Sequence, residues 1–241
     1  MTQRMIIGTA CFFIAGSAFG AAIVPSYDEF EDLPDATWGG TGIPTGPAAV
    51  RGAPNGAILG LIAHQRYNNP PLQNDGAGTY FAQPGANDGT PGNPGTAATW
   101  NIGFYVNLPT SLVAGDEYFR LYYDLDPSVG TDISQLGQLD FMVSSGNKIE
   151  GSENMSFGFW LIPFPGNTPA SYAPFDPFAT GEYSFALVAL DDTGTELPDG
   201  RAAIIVRVGN VGTVPDAGST FALLGGGLVL LTGLRRLLRV S

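Results

Sequence analysis

The sequence predicts an all-β fold, a single jelly-roll-like β-sandwich, on three observations. The 241 residues include 34 glycines and 19 prolines, which suit turns and sheet edges and penalise helix interiors. Apolar residues alternate in short runs: Phe104, Val106 and Leu108 share one face of one run, and Phe119, Leu121 and Tyr123 share one face of another. That period belongs to a sheet with one buried face. The runs are parted by turn-forming clusters, giving about eight strands in roughly 190 residues, the size of a sandwich. An apolar fraction of 44% is enough to bury a core.

The chain opens with residues 1–22, "MTQRMIIGTACFFIAGSAFGAA", which carry Arg4, an apolar stretch and a small-residue close. Ala18 with Gly20, or Gly20 with Ala22, fill the small positions ahead of a cleavage site, so the segment is expected to be a signal peptide removed by signal peptidase after general secretion. The only cysteine, Cys11, goes with it. The mature chain then has no thiol, which excludes disulfides, thiol catalysis and cysteine zinc sites.

Residues 23–213 form the expected ectodomain. Its predicted strands are "AILGLIAHQRY", "TYFAQ", "TWNIGFYVNL", "EYFRLYYDL", "LDFMVSS", "MSFGFWLI", "YSFALVAL" and "AAIIVRV". Two Pro- and Gly-dense stretches, around 33–56 and 68–99, are expected as long loops, the second interrupted by a short strand at Thr79–Gln83. The last two runs, in "GEYSFALVALDDTGTELPDGRAAIIVRVG", are expected to form a terminal hairpin through an acidic turn.

Charge narrows the partners. The net charge is −12, from 22 acidic and 10 basic residues. Arg4, Arg235, Arg236 and Arg239 lie in the terminal segments, and every carboxylate lies between them. The middle, with Arg51, Arg66, Arg120, Lys148, Arg201 and Arg207 as its only cations, repels phosphate backbones, so nucleic acid is excluded as a partner.

Candidate chemistry in the middle is sparse. His64 is the only histidine; with no G-x-S-x-G turn and no second histidine it is expected to be a strand residue, not a catalytic base or zinc ligand. A glycoside hydrolase would need two facing carboxylates, for which Asp124, Asp126 and Asp140, or Glu150 and Glu153, are the conceivable sets. Calcium prefers several oxygens in a short loop, and "YDLDPSVGTD" and "DDTGTELPDG" offer Asp124, Asp126, Asp191 and Asp192 as weak ligand candidates. Neither has EF-hand spacing, and Asp and Gly are ordinary turn formers. A carbohydrate-binding module would present aromatic rings, and Trp38, Trp100, Trp160, Tyr122 and Tyr123 are the candidates, with exopolysaccharide as ligand. Trp100 and Trp160 are expected in the core. No catalytic constellation emerges, so the expectation is a protein without enzymatic activity and without a cofactor.

The C-terminal residues 214–241 carry the strongest signal. Val214, Pro215, Asp216, Ala217, Gly218, Ser219 and Thr220 precede an uncharged run from Phe221 to Leu234, and Arg235, Arg236 and Arg239 follow. Pro215 pushes Val214 towards an extended shape, and Asp216, Ser219 and Thr220 each offer an N-cap oxygen to a helix beyond them. A helix of about 14–16 residues rises only ~21–24 Å against a hydrocarbon core of ~30 Å. It spans a membrane if Leu237, Leu238 and Val240 sit at the interface with the arginines snorkelling to headgroups. Those arginines favour a cytoplasmic C-terminus, which leaves the acidic middle outside.

This ending resembles a PEP-CTERM-type sorting signal, closest to its VPDSG-CTERM variant, with Ala217 standing where that variant usually has serine or glycine. The resemblance implies that an exosortase, a membrane-embedded transpeptidase, reads Val214–Thr220 as a processing site. It also implies that the exported protein passes to the cell surface or extracellular matrix.

Overall fold

The computed structural model describes residues 21–33, 36, 46–66, 72–86, 97–112, 115, 117–144, 146–172 and 174–209. Within them lie strands β1 (Glu29–Glu31), β2 (Ala48–Gly52), β3 (Ile58–Gln65), β4 (Gln73–Asn74), β5 (Thr79–Ala82), β6 (Trp100–Asn107), β7 (Tyr118–Tyr123), β8 (Gly137–Met142), β9 (Lys148–Glu153), β10 (Asn167–Thr168), β11 (Gly181–Leu190) and β12 (Glu196–Val208). One sheet runs β1-β2-β3-β6-β9 and the other β10-β8-β7-β11-β12-β5-β4. All strand pairings are antiparallel except β5 with β12.

The two sheets pack face to face, as a sandwich does. Ile102, Phe104 and Val106 of the first sheet meet Phe119, Leu121, Tyr123, Phe185 and Leu187 of the second in one buried cluster. Trp100, the first residue of β6, joins the sheets through aromatic contacts: its ring lies 5.9 Å from Tyr183, 6.1 Å from Phe185 and 5.9 Å from Phe175. The expected alternation on β6 and β7 thus faces the core. At Gly151 on β9 the absent side chain leaves room for the Phe104 ring; a Cβ there would fall 2.5 Å from it.

A second, smaller cluster covers the outer face of the seven-stranded sheet. Tyr122, Ala186, Val188 and Ala203 lie beneath Ile23 and Leu136. The amino-terminal residues supply this cover, because Ala22 bridges Asp132 and Ser26 exchanges backbone hydrogen bonds with Ala203. The Ile133 amide also donates to the Ala21 carbonyl, so the described fold takes in Ala21 and Ala22, two residues ahead of the expected start at 23.

Three expectations need correction. "MSFGFWLI" does not form a strand; its centre is a 3-10 turn at Gly158–Leu161. Backbone bonds from Phe157 to Asn154, Trp160 to Phe157 and Ile162 to Phe159 wind the segment, and the Trp160 indole donates to the Asn154 carbonyl at 2.9 Å. That anchor places the ring 4.4 Å from Tyr123, so burial of one large side chain overrides the period-two pattern. The polar "KIEGSE" instead forms the edge strand β9, where only one side of the backbone is paired. The stretch expected as one long loop at 33–56 contains β2.

Among the described residues no helix is long and apolar enough to cross a membrane. Residues 1–20 of the expected signal segment 1–22, and the expected span from Phe221, lie outside the described residues.

Among the described residues, two polar atoms of the aromatic core are buried without a hydrogen-bond partner, Trp100 Nε1 and the Tyr183 hydroxyl. A buried group left unpaired is destabilising by about 1–3 kcal/mol. Tyr183→Phe is therefore expected to stabilise the protein by ~1 kcal/mol, and Trp100→Ala to destabilise it by about 3–5 kcal/mol. Denaturant unfolding midpoints check both, and loss of stability in Tyr183→Phe would mean that the hydroxyl is paired after all.

Candidate functional site

The ends of β12, β11, β7 and β5 meet at one pole of the sandwich. Gly181 of β11 faces Val208 of β12, Ala82 of β5 lies beside Val208, and β7 ends at Tyr123 across from Gly137 of β8. The last described residue, Gly209, donates to the Ala82 carbonyl at 3.1 Å, so β12 ends against β5 at the point where the chain runs on to residue 210. Val129, Thr180, Gly181, Glu182, Arg207 and Val208 line an open groove of about 270 Å³ beside this exit. Arg207 Nε donates to the buried Glu182 carboxylate at 2.9 Å across it.

The loop that follows β7 is fastened by a buried carboxylate. Asp124 accepts from the Asp126 amide at 2.9 Å and from the Ser184 amide at 3.2 Å, and Asp126 accepts in turn from the Ser128 amide. Burial pushes Asp124 up to about 6 despite those donors. The other two calcium candidates lie at the opposite pole, in the β11–β12 turn. Asp191 accepts from the Thr193 amide and hydroxyl and the Thr195 amide, and the Thr193 bonds hold its carboxyl below the usual range. Asp191 and Asp192 border an open groove of about 380 Å³ with Asn55, Glu117, Leu190, Thr193 and Leu197. The four aspartates thus serve two separate turns. Among the described residues no three His, Cys, Asp or Glu side chains are grouped to hold a metal ion.

The carboxylate pairs weighed for glycoside hydrolysis do not converge. Asp140 takes a two-pronged bond from Arg120 at 2.6 and 2.8 Å, a residue it faces in mid-sheet, whereas Asp124 is buried in the turn beyond the strand end. Glu150 and Glu153 are three apart on one strand, so their side chains take opposite faces. Glu150 faces out with Tyr105 and lies 3.3 Å from Lys148; Glu153 pairs with Ile102 and faces the core. Burial pushes Glu153 up to about 7.

His64 is fully buried on β3. Its Nδ1 lies 3.0 Å from the Gln65 carbonyl, which can only accept, so Nδ1 carries the proton and Nε2 accepts from the Ser152 hydroxyl at 2.9 Å. Asn101 donates to the same hydroxyl at 3.0 Å, and Asn154 donates to Asn101 at 2.7 Å. The hydroxyl-to-imidazole bond is the first step of serine activation, but the imidazole has no exposed face to meet a substrate. The chain of bonds ties the edge strand β9 to β6 and β3. Ser152, Asn101 and Asn154 carried no sequence signal for this role, since nothing in their spacing reports a cross-strand meeting. Burial also lowers the His64 pKa.

Of the aromatic candidates for sugar stacking, Trp100, Trp160, Tyr122 and Tyr123 are buried and cannot stack on a ligand. Trp38 lies outside the described residues, as do Val214–Thr220, Arg235, Arg236 and Arg239.

Glu153 sets a pH dependence. Its folded pKa of about 7 stands above the ordinary 4.5, so the folded state holds a proton that the unfolded state releases, and this contribution is lost as pH rises from about 4.5 through 7. Glu153→Gln is expected to gain about 1–2 kcal/mol over the wild type between pH 5 and pH 8, allowing for solvent screening. Urea midpoints of the two proteins across that range check this, and parallel pH profiles would contradict it.

No curated protein matches the chain. Residues 213–238, which begin four positions beyond Gly209, match the family described as the VPDSG-CTERM motif. The chain thus ends in a VPDSG-CTERM motif, a PEP-CTERM-like exosortase sorting signal, which implies export and membrane-associated processing toward the cell surface.

Proposed function

We propose that this is a non-catalytic surface or extracellular-matrix protein whose C-terminal tail is cut by an exosortase-type transpeptidase after export. The motif at residues 213–238 carries the proposal. In it, the leader inserts first and is removed by signal peptidase. The sandwich folds outside, and Phe221–Leu234 spans the membrane with Arg235, Arg236 and Arg239 on the cytoplasmic side. Val214–Thr220 then stands at the outer interface as an extended, proline-stiffened peptide, accessible to an enzyme in the same membrane.

Physical features of the body suit that role. Six cations against more than twenty carboxylates keep a released domain soluble. The fold stands on packing alone, so its stability is independent of the redox state outside the cell. The decisive experiment is intact mass spectrometry of the protein recovered from its native cell. Loss of both terminal segments is expected; a protein that retains Arg235, Arg236 and Arg239 would reduce the tail to a plain anchor and sink the proposal.

A further inference from the structure

We propose that the pole from which the chain leaves at Gly209 is a docking face for the membrane enzyme that reads residues 214–220, with Val129 and Phe178 as its contact points. This deepens the sorting proposal above and rests on it.

Reach comes first. Val214 is five residues beyond Gly209 and Asp216 is seven. At ~3.3–3.6 Å per fully extended residue, these stand at most about 18 Å and about 25 Å from the end of β12. Even a 100-residue domain has a radius of gyration of about 13 Å. An enzyme that closes on this motif therefore brings its own surface against the pole.

The amino terminus marks the same pole. The Ala21 carbonyl accepts from the Ile133 amide at 3.4 Å, and Ala22 bridges Asp132. Both residues belong to the β7–β8 connection, which borders the exit of β12. The first described residues, Ala21 and Ala22, and the last, Gly209, thus lie at one pole, and on the sorting proposal it is the pole nearest the membrane that holds the tail.

Its surface is also unusual in hydrophobicity. The three most exposed large apolar side chains among the described residues are Val129 at 79%, Phe178 at 66% and Val24 at 66%. Val129 lies on the groove at the exit, Phe178 is two residues before Thr180 on the same groove, and Val24 is two residues after Ala22. The first two are held outward by hydrogen bonds within their own turns. The Ser128 amide donates to Asp126 and the Thr131 hydroxyl to the Ser128 carbonyl at 3.2 Å. Likewise the Phe178 amide donates to Asp176 at 2.9 Å, and the Ala179 amide to the Asp176 carbonyl at 3.1 Å. Ordered apolar tips kept in water mark an interaction surface.

Charge selects a protein over lipid as the occupant. Asp126, Asp132 and Asp176 stand among these tips, and Arg207, the cation on the groove, is engaged by Glu182. Such a rim is repelled by anionic headgroups and complements a cationic rim on a protein. A docked pole would raise the effective concentration of the short motif at the active site.

The test measures tail removal by mass in a pulse–chase, in cells that contain the processing enzyme. Val129→Asp combined with Phe178→Asp is expected to slow removal about tenfold at an unchanged thermal midpoint, while Met142→Asp, at the opposite pole, leaves the rate as it is. Replacing Val214, Pro215 and Asp216 together by alanine separates the two ideas. If that triple variant is processed normally, the sorting proposal itself fails. If it is blocked while the double variant runs at the wild-type rate, only the docking face fails. A photo-crosslinking amino acid in place of Val129 is expected to capture the enzyme; adducts with lipid alone would overturn the choice of occupant.

Discussion

The fold depends on one contact between sheets that no covalent bond reinforces. Trp100 of the five-stranded sheet wedges between Tyr183 and Phe185 of β11 and Phe175 beside it. Ala63, Leu61 and Leu59 on β3 and Ala202, Ile204 and Val206 on β12 extend the same layer. With Cys11 the single cysteine, no disulfide assists, and dispersion and exclusion of water hold the two sheets together. The unpaired Trp100 Nε1 and Tyr183 hydroxyl show that filling this layer took precedence over satisfying every polar atom. Large rings supply the most buried area per residue, and their polar handles came along with them.

Polar side chains do the complementary work at the margins. Asn154, just beyond β9, accepts from the Ala98 amide at 3.0 Å and donates to the Ala98 carbonyl at 2.9 Å, standing in for a further residue of the ladder. Its own carbonyl then receives the Trp160 indole. One asparagine therefore ends an edge strand, continues the pairing by side chain and fixes the turn that buries a tryptophan. His64 and Ser152 stitch the same edge from the outer face. An edge strand with three charged residues and a glycine in six has little pairing strength of its own, and these bonds supply what its sequence lacks.

That contrast explains which elements were legible in the sequence. β3, β6, β7, β11 and β12 announce themselves because their apolar residues are numerous and the sheet buries them. β9 is not among the predicted strands because Lys148, Glu150 and Glu153 break any apolar alternation, and only cross-strand partners make a strand of them. "MSFGFWLI" was misjudged for the converse reason: hydrophobicity reports burial but not the period by which it is reached. Asp124 and Asp126 were rightly seen as a turn rich in oxygen, yet their acceptors go to the amides of Asp126, Ser184 and Ser128. Sequence alone cannot say whether such oxygens face an ion or the backbone. Ser152 and His64 are 88 residues apart, and no local pattern joins them.

The tail is legible where the body is not, and the difference is physical. A sorting signal must be read by another protein while extended, so its information lies in consecutive side chains, in hydrophobic length and in charge. The body's information lies in which distant residues meet. Only four residues, Asn210 to Thr213, separate Gly209 from Val214. On the docking proposal, so short a connection makes the sandwich more than cargo: the pole around the Asp124 clamp and the Glu182–Arg207 pair would bound how closely an enzyme reading the motif can approach.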